Sequence, residues 1–196
     1  MRDLVKMVVV LLVICTISGV ALAYVHRITE EPRQYSYVKF VQEPSMKTLL
    51  SGYENDPIKD RIQLALGEDE RGKPINKIVL PAKKDGKIFE LAYCASAMGY
   101  IDVIEVMVGF KPDGEIIGIS IMRNIETPGL GSRISEPEFT AQFTGIDLET
   151  NQLSAEGGKI DAVSGATNSS IGVIKAVAVA LEQFPQIQKE VFKPLD

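Results

Sequence analysis

Residues 7–25 read Met-Val-Val-Val-Leu-Leu-Val-Ile-Cys-Thr-Ile-Ser-Gly-Val-Ala-Leu-Ala-Tyr-Val, 19 residues without one charged side chain. As a helix rising about 1.5 Å per residue, such a run covers roughly the hydrocarbon core of a bilayer. Arg2 and Lys6 precede it, and His26 and Arg27 follow. The run also fits a secretory signal peptide, with Arg2 and Lys6 as its basic region and Ala21-Leu22-Ala23 as a cleavage site. Continuation of the apolar run through Tyr24 and Val25 favours a retained anchor. A lipoprotein signal does not fit, because Ile14 stands before Cys15 where a small residue is wanted. The expected organisation is a short tail (1–6), a membrane helix (7–25), a polar connector containing Pro32 and Pro44 (26–44), and one domain (45–196). Basic residues flank the span about equally, so the positive-inside rule does not set its orientation.

The part beyond the span is long enough for one ordinary domain with its own core. Nineteen of the 21 basic residues and 25 of the 26 acidic ones lie beyond Lys6, a balance of −6. With no basic stripe, nucleic acid is not an expected partner. Cys15 lies in the span and Cys94 in a strand-like run, too few and too scattered for a metal or iron–sulfur site. The sole histidine, His26, flanks the span. Redox chemistry in such a chain has to come from a cofactor.

Residues 45–66 carry Met46, Leu49, Leu50, Ile62, Leu64 and Leu66 around Pro57, a pattern read as two short helices or one broken helix. Residues 68–74 form a charged loop. Strands are expected over 77–82 and 87–96 around Lys83-Lys84-Asp85-Gly86, and over 103–110 and 115–122 around Lys111-Pro112-Asp113-Gly114. In 103–110 one face is wholly apolar and the other mixed, as for a sheet covered on one side. A short helix over 136–145 would bring Phe139 and Phe143 together. A last helix over 170–184 has Ile171, Ile174, Ala178 and Leu181 on one stripe, expected to face the sheet. The fold class is α+β: an antiparallel sheet with flanking helices, preceded by one N-terminal transmembrane helix.

Just before that last helix stands Asp161-Ala162-Val163-Ser164-Gly165-Ala166-Thr167. Small residues and free backbone N–H groups at a helix start suit a phosphate. Ser, Thr and Asn there suit an ordinary side-chain cap equally well, and caps are the commoner reason. Asn168, Ser169 and Ser170 add donors. A second segment, Glu126-Thr127-Pro128-Gly129-Leu130-Gly131, holds a strong Pro-Gly turn signal.

The first segment resembles the Asp-x-x-Ser/Thr-Gly-Ala-Thr motif of flavinylated proteins, matching every fixed position. Taken with the second, the chain resembles the FMN-binding domain of the G subunit of Rnf electron-transport complexes. The C subunit of the sodium-translocating NADH:quinone reductase shares this pattern. The resemblance implies a flavin transferase that moves FMN from FAD onto the Thr167 hydroxyl through a phosphoester, with Asp161 in the sequence that the transferase reads. It implies a phosphate cradle at Ser164, Gly165, Ala166, Asn168 and Ser169. The isoalloxazine ring would lie against Glu126, Thr127, Gly129, Leu130 and Gly131, with Thr127 bonding a ring atom and Leu130 packing on its face. Tyr93, Tyr100 and Met107 are further candidates for ring neighbours, although core packing explains each.

The implied function is electron transfer between ferredoxin and NAD, coupled to sodium or proton movement. This subunit would relay electrons between an iron–sulfur subunit and a second flavin subunit in the membrane. The flavin domain would face away from the cytoplasm at the inner or plasma membrane. Alternatives are the quinone-reductase subunit, a free-standing extracytosolic flavin carrier, and a non-redox, membrane-anchored binding module.

Overall fold

A computed structural model describes residues 2–68 and 74–192. The expected charged loop falls mostly on residues 69–73, outside the described residues. The chain divides into two units, residues 1–40 and 41–196.

The first unit is built on one helix, α1 (Arg2–Tyr37). Its stretch Arg2–Thr29 contains 18 consecutive residues with a mean hydropathy of 2.7 and is long and apolar enough to cross a membrane. Its valines, leucines and isoleucines are exposed. The hydroxyls of Thr16 and Thr29 donate back to the carbonyls of Leu12 (2.8 Å) and Val25 (2.5 Å). Both polar groups are therefore satisfied within the helix, as lipid requires. The polar stretch after Val25, read as a connector, continues the helix to Tyr37, and a π-helical turn, Val38–Gln42, follows.

The second unit opens with α2 (Glu43–Leu49), which has a proline in its first turn. The expected second helix near residue 62 is instead a strand, β1 (Ile62–Glu68). The reason is visible in the spacing: Ile62, Leu64 and Leu66 recur every second residue, and Gln63 and Ala65 between them are exposed. The loop between α2 and β1 is fastened to the sheet by Asn55. Its Oδ1 accepts the Lys83 N–H (2.7 Å) and its Nδ2 donates to the Pro81 carbonyl (3.0 Å).

Four strands follow: β2 (Pro74–Lys84), β3 (Lys87–Met98), β4 (Val103–Phe110) and β5 (Ile116–Arg123). They join β1 in a five-stranded antiparallel meander in sequence order. Asp85 and Gly86 both have positive φ, 50° and 74°, the geometry that a two-residue hairpin demands.

A long excursion after β5 holds a 3-10 turn (Gly131–Ser135), then α3 (Pro137–Thr140) and a second 3-10 turn (Ala141–Phe143). Here the Phe139 and Phe143 rings meet edge-on at 5.4 Å. The chain ends its described part with α4 (Thr167–Val191). This helix runs past Pro185, where the sequence suggests a stop, and buries Ile187 beyond it.

Helix α4 lies on one face of the sheet. Its buried stripe is Val173, Ala176, Val177, Ala180, Phe184 and Ile187. Of the four residues expected to face the sheet, only Ile174 is buried; Ile171, Ala178 and Leu181 lie at the flank. Small residues fix this phase: alanines let the helix approach closely, and a stripe chosen by side-chain size overlooks them. Tyr93, Phe110 and Phe184 stack through this layer with centroids 5.2 and 4.7 Å apart. The Tyr93 hydroxyl donates to the Ala180 carbonyl at 2.5 Å. The other face is covered as well, contrary to the expected one-sided sheet. Leu49 of α2 sits over Gly109 and Gly118, neighbours across β4 and β5, and Met46, Leu50, Leu80 and Met107 are buried.

Candidate functional site

At the Ser-Gly-Ala-Thr turn the structure shows no ordinary side-chain cap on α4. The cap residue is Ala166, and the hydroxyls that would ordinarily cap the helix are turned inward. Ser170 Oγ accepts the Val163 N–H (3.0 Å) and donates to the Ala166 carbonyl (3.1 Å). Ser169 Oγ donates to Glu126 Oε2 (2.6 Å). Among the described residues, the backbone N–H groups of Thr167, Asn168 and Ser169 have no hydrogen-bond partner. They form an open helix N-terminus, with the positive end of the helix dipole behind it. Thr167 is exposed at its first position.

Gly165 makes the turn into the helix. Its φ of +78° favours glycine, and a Cβ there would also meet Leu130 Cδ1 at 2.9 Å. The two segments singled out in the sequence therefore touch at Leu130 and Gly165. Between them lies an open cleft of about 410 Å³, lined by Tyr100, Thr127, Leu130, Gly131 and residues 165–169. That volume falls within the roughly 300–1,000 Å³ of small-molecule sites.

Glu126 is not in the lining. It is 5% exposed, and protein donors occupy its carboxylate. Oε1 accepts the N–H groups of Tyr100 (3.0 Å) and Ile101 (3.2 Å), while Oε2 takes the Ser169 hydroxyl. Glu126 thus ties the β3–β4 turn, the second segment and the start of α4 together. Gly131 leaves room for it, since a Cβ there would lie 2.8 Å from Glu126 Cβ. Gly129, at φ +73°, shapes the turn behind the cleft, with its N–H donating to Ser132 Oγ (2.9 Å).

The first segment is divided between two clefts. Residues 165–167 line the one above. Asp161 and Ser164 line a neighbouring cleft of about 460 Å³ with Arg133, Glu136 and Gln142 among others. Asp161 is held on three sides. Its Oδ1 accepts the Ser154 hydroxyl (2.5 Å), its N–H donates to Gln142 Oε1 (2.7 Å), and its carbonyl accepts Gln142 Nε2 (3.3 Å). Of the three further ring candidates, Tyr93 and Met107 are fully buried in the core, whereas Tyr100 is 64% exposed in the cleft. A Tyr that follows Gly in a turn between two strands was the available signal for it.

Residues 99–182 match the FMN-binding domain family, a span that contains both segments and the Glu126 clasp. The chain is 33% identical over 178 residues to the G subunit of the proton-translocating ferredoxin:NAD(+) oxidoreductase complex of Clostridium ljungdahlii, covering 88% of this chain and 87% of that one. It is 26% identical over 182 residues to the G subunit of the ion-translocating oxidoreductase complex of Methanosarcina acetivorans, covering 92% and 94%. The chain belongs to the G-subunit family of these complexes. In fold it is similar to the crystal structure of Shewanella oneidensis NqrC, with a TM-score of 0.51 and 20% identity over 79% of this chain and 76% of that one.

As a member of that family with an FMN-binding domain, the chain can be tested for its fit to FMN by the geometry above. Three unpartnered N–H groups and an exposed hydroxyl at the α4 start suit a phosphate ester. Gly165 and Ala166 leave the approach free of bulk, and Tyr100 and Leu130 offer apolar surface for a flat ring. The residues fit the group.

Proposed function

We propose that this chain is the electron-carrying flavin subunit of a membrane-bound, Rnf-type ferredoxin:NAD oxidoreductase, with FMN joined by a phosphoester to Thr167. The observation that carries this reading is the uncapped start of α4, where Thr167 stands exposed while Ser169 and Ser170 are engaged elsewhere. In the attachment step, Thr167 Oγ1 would form a new bond to the flavin-side phosphorus of FAD. The pyrophosphate bond breaks, AMP leaves, and the hydroxyl proton passes to a base on the flavin transferase. Asp161, held at the edge of the neighbouring cleft, belongs to the surface that the transferase reads.

FMN, when bound, accepts and releases electrons singly or in pairs. The chain's own part is to hold and place it. The N–H groups of residues 167–169 bind the phosphate, Asn168 adds a polar contact near the turn, and Thr127, Leu130 and Gly131 border the ring, while Gly129 shapes the turn behind them and Ser164 faces the neighbouring cleft. Covalent attachment and the α1 anchor keep the carrier at its partners at high effective concentration. Those partners are an iron–sulfur subunit and a second flavin subunit, and the electron flow is coupled to sodium or proton movement. Residues 1–6 lie in the cytoplasm, 7–25 span the membrane, and the FMN-binding domain (45–196) lies on the extracytoplasmic side.

The test is mass spectrometry of tryptic peptides from the chain co-expressed with a flavin transferase. A flavin phosphate on Thr167, absent in Thr167→Ala, is expected. Modification elsewhere, or none under conditions that load another member of the family, overturns the reading.

A further inference from the structure

Glu126 and Tyr100 form an arrangement that holding a phosphate does not explain. A carboxylate is costly to bury unless its oxygens are bonded, and this one is satisfied from three directions. Two of its three donors are the consecutive N–H groups of Tyr100 and Ile101. The structure around it makes room for that contact. A Cβ on Gly99 would overlap Glu126 Oε1, and a Cβ on Gly172 would lie 2.7 Å from Gly99 Cα. The β3–β4 turn is thereby pinned against both α4 and the carboxylate. What the pinned turn presents to the cleft is the Tyr100 side chain, which remains 64% exposed and has no ring partner among the described residues. Tyr100 is the single aromatic among the residues lining the cleft, and Leu130 is the only other large apolar one.

We propose that Tyr100 is the aromatic surface on which the isoalloxazine ring rests, and that Glu126 is the positioning residue that fixes Tyr100, not a ligand of the cofactor. This rests on the FMN reading above. Flat aromatic systems gain from offset stacking on a phenol ring. A ring tethered at Thr167 meets Tyr100 in the same cleft, beside Leu130. Glu126 acts at one remove, by holding the Tyr100 backbone at a fixed distance from the α4 start.

Tyrosine stacked on a flavin quenches its fluorescence by transient electron transfer to the excited ring, so the lifetime reports the contact directly. The experiment uses the full-length, detergent-solubilised chain after co-expression with a transferase. Flavin loading is measured first by absorbance and mass, so failure of the FMN reading appears as an unloaded wild-type chain. In the loaded protein, Tyr100→Leu should lengthen the fluorescence lifetime severalfold and lower the fluorescence anisotropy. Glu126→Ala should lengthen it with Tyr100 still present. The double variant should add nothing further, the non-additivity of two residues acting through one contact. If Glu126→Ala fails to fold, Glu126→Asp, one methylene too short to reach both N–H groups, should lengthen the lifetime in the same direction. A loaded Tyr100→Leu chain with an unchanged lifetime overturns the stacking. Folded Glu126 variants with lower stability and an unchanged lifetime overturn the positioning role.

Discussion

Replacing Gly172 by alanine separates two physical arguments that predict opposite signs. Gly172 lies in the second turn of α4, and alanine is the better helix former by about 1 kcal/mol in an open helix interior. Propensity alone therefore predicts a more stable protein. The structure predicts the reverse. The new methyl would sit 2.7 Å from Gly99 Cα and 3.1 Å from both the Met98 carbonyl oxygen and Ile104 Cδ1. Carbon atoms pack at about 3.5–4.0 Å, so a shift near 1 Å is needed. Two of these three neighbours are backbone atoms of the turn that Glu126 holds, and they cannot swing away as a side-chain end can. Overpacking costs about 1–3 kcal/mol, and against backbone that cannot give way the cost lies in the upper part of that range, about 2–3 kcal/mol, leaving a net loss of about 1–2 kcal/mol after the propensity gain. For a domain of this size that is a fall in Tm of roughly 2–8 °C. The same displacement moves the α4 start from the β3–β4 turn, so the flavin attachment proposed at Thr167 should slow. Thermal unfolding by circular dichroism and a time course of flavin incorporation measure the two effects. An increase in Tm with unchanged incorporation would refute the close-approach argument.

Other consequences are open to simple measurement. Burial pushes the Tyr93 phenol well above its ordinary value. Its contribution to stability is complete below the unfolded tyrosine value near 10 and falls as pH rises beyond it, because the unfolded chain loses that proton first. Tyr93→Phe should flatten this alkaline decline while costing about 1 kcal/mol at neutral pH from the lost bond to Ala180, as denaturant titration would reveal. The Cys94 thiol is pushed up to about 12, chiefly by burial. In a Cys15→Ala background the half-buried thiol should react with iodoacetamide at neutral pH far more slowly than a free cysteine; labelling of native protein at the free-cysteine rate would contradict the packing of β3. The Asp60 carboxylate is held below its ordinary value by bonds from Lys83 and then Asn55. Its stabilising effect is present above about pH 4 and is lost on acidification through the lowered value, a dependence that Asp60→Asn should remove from an acid-unfolding curve.

How much of this was legible in the sequence follows from what each signal measures. Strands β2 to β5 were readable because their turns carry Asp-Gly or Pro-Asp-Gly at positions that need special backbone angles. The strand β4 has the expected bounds, Val103–Phe110. Strand β1 was misread because Leu49, Leu50, Ile62 and Leu64 were counted as one pattern across Pro57, mixing a helix with a period-two strand. The phase of α4 was misread because large side chains were followed, whereas Gly172 and the alanines set the contact. The two segments singled out in the sequence meet in the fold, where Leu130 approaches Gly165. The distribution of labour among their polar groups was not readable from spacing. Glu126 was grouped with the cofactor residues, yet its three bonds are internal. Ser169 and Ser170 were counted as donors toward a ligand, yet both hydroxyls point into the fold. An inward-turned hydroxyl and a capping hydroxyl are the same letters in a sequence. They differ only in which backbone they reach, and here that difference leaves the α4 start open for an anion. Pairing Ser169 with Glu126 therefore does two things at once: it removes a competing cap from the α4 start, where the proposed phosphate would sit, and it fixes the turn that carries Tyr100 to the same helix end.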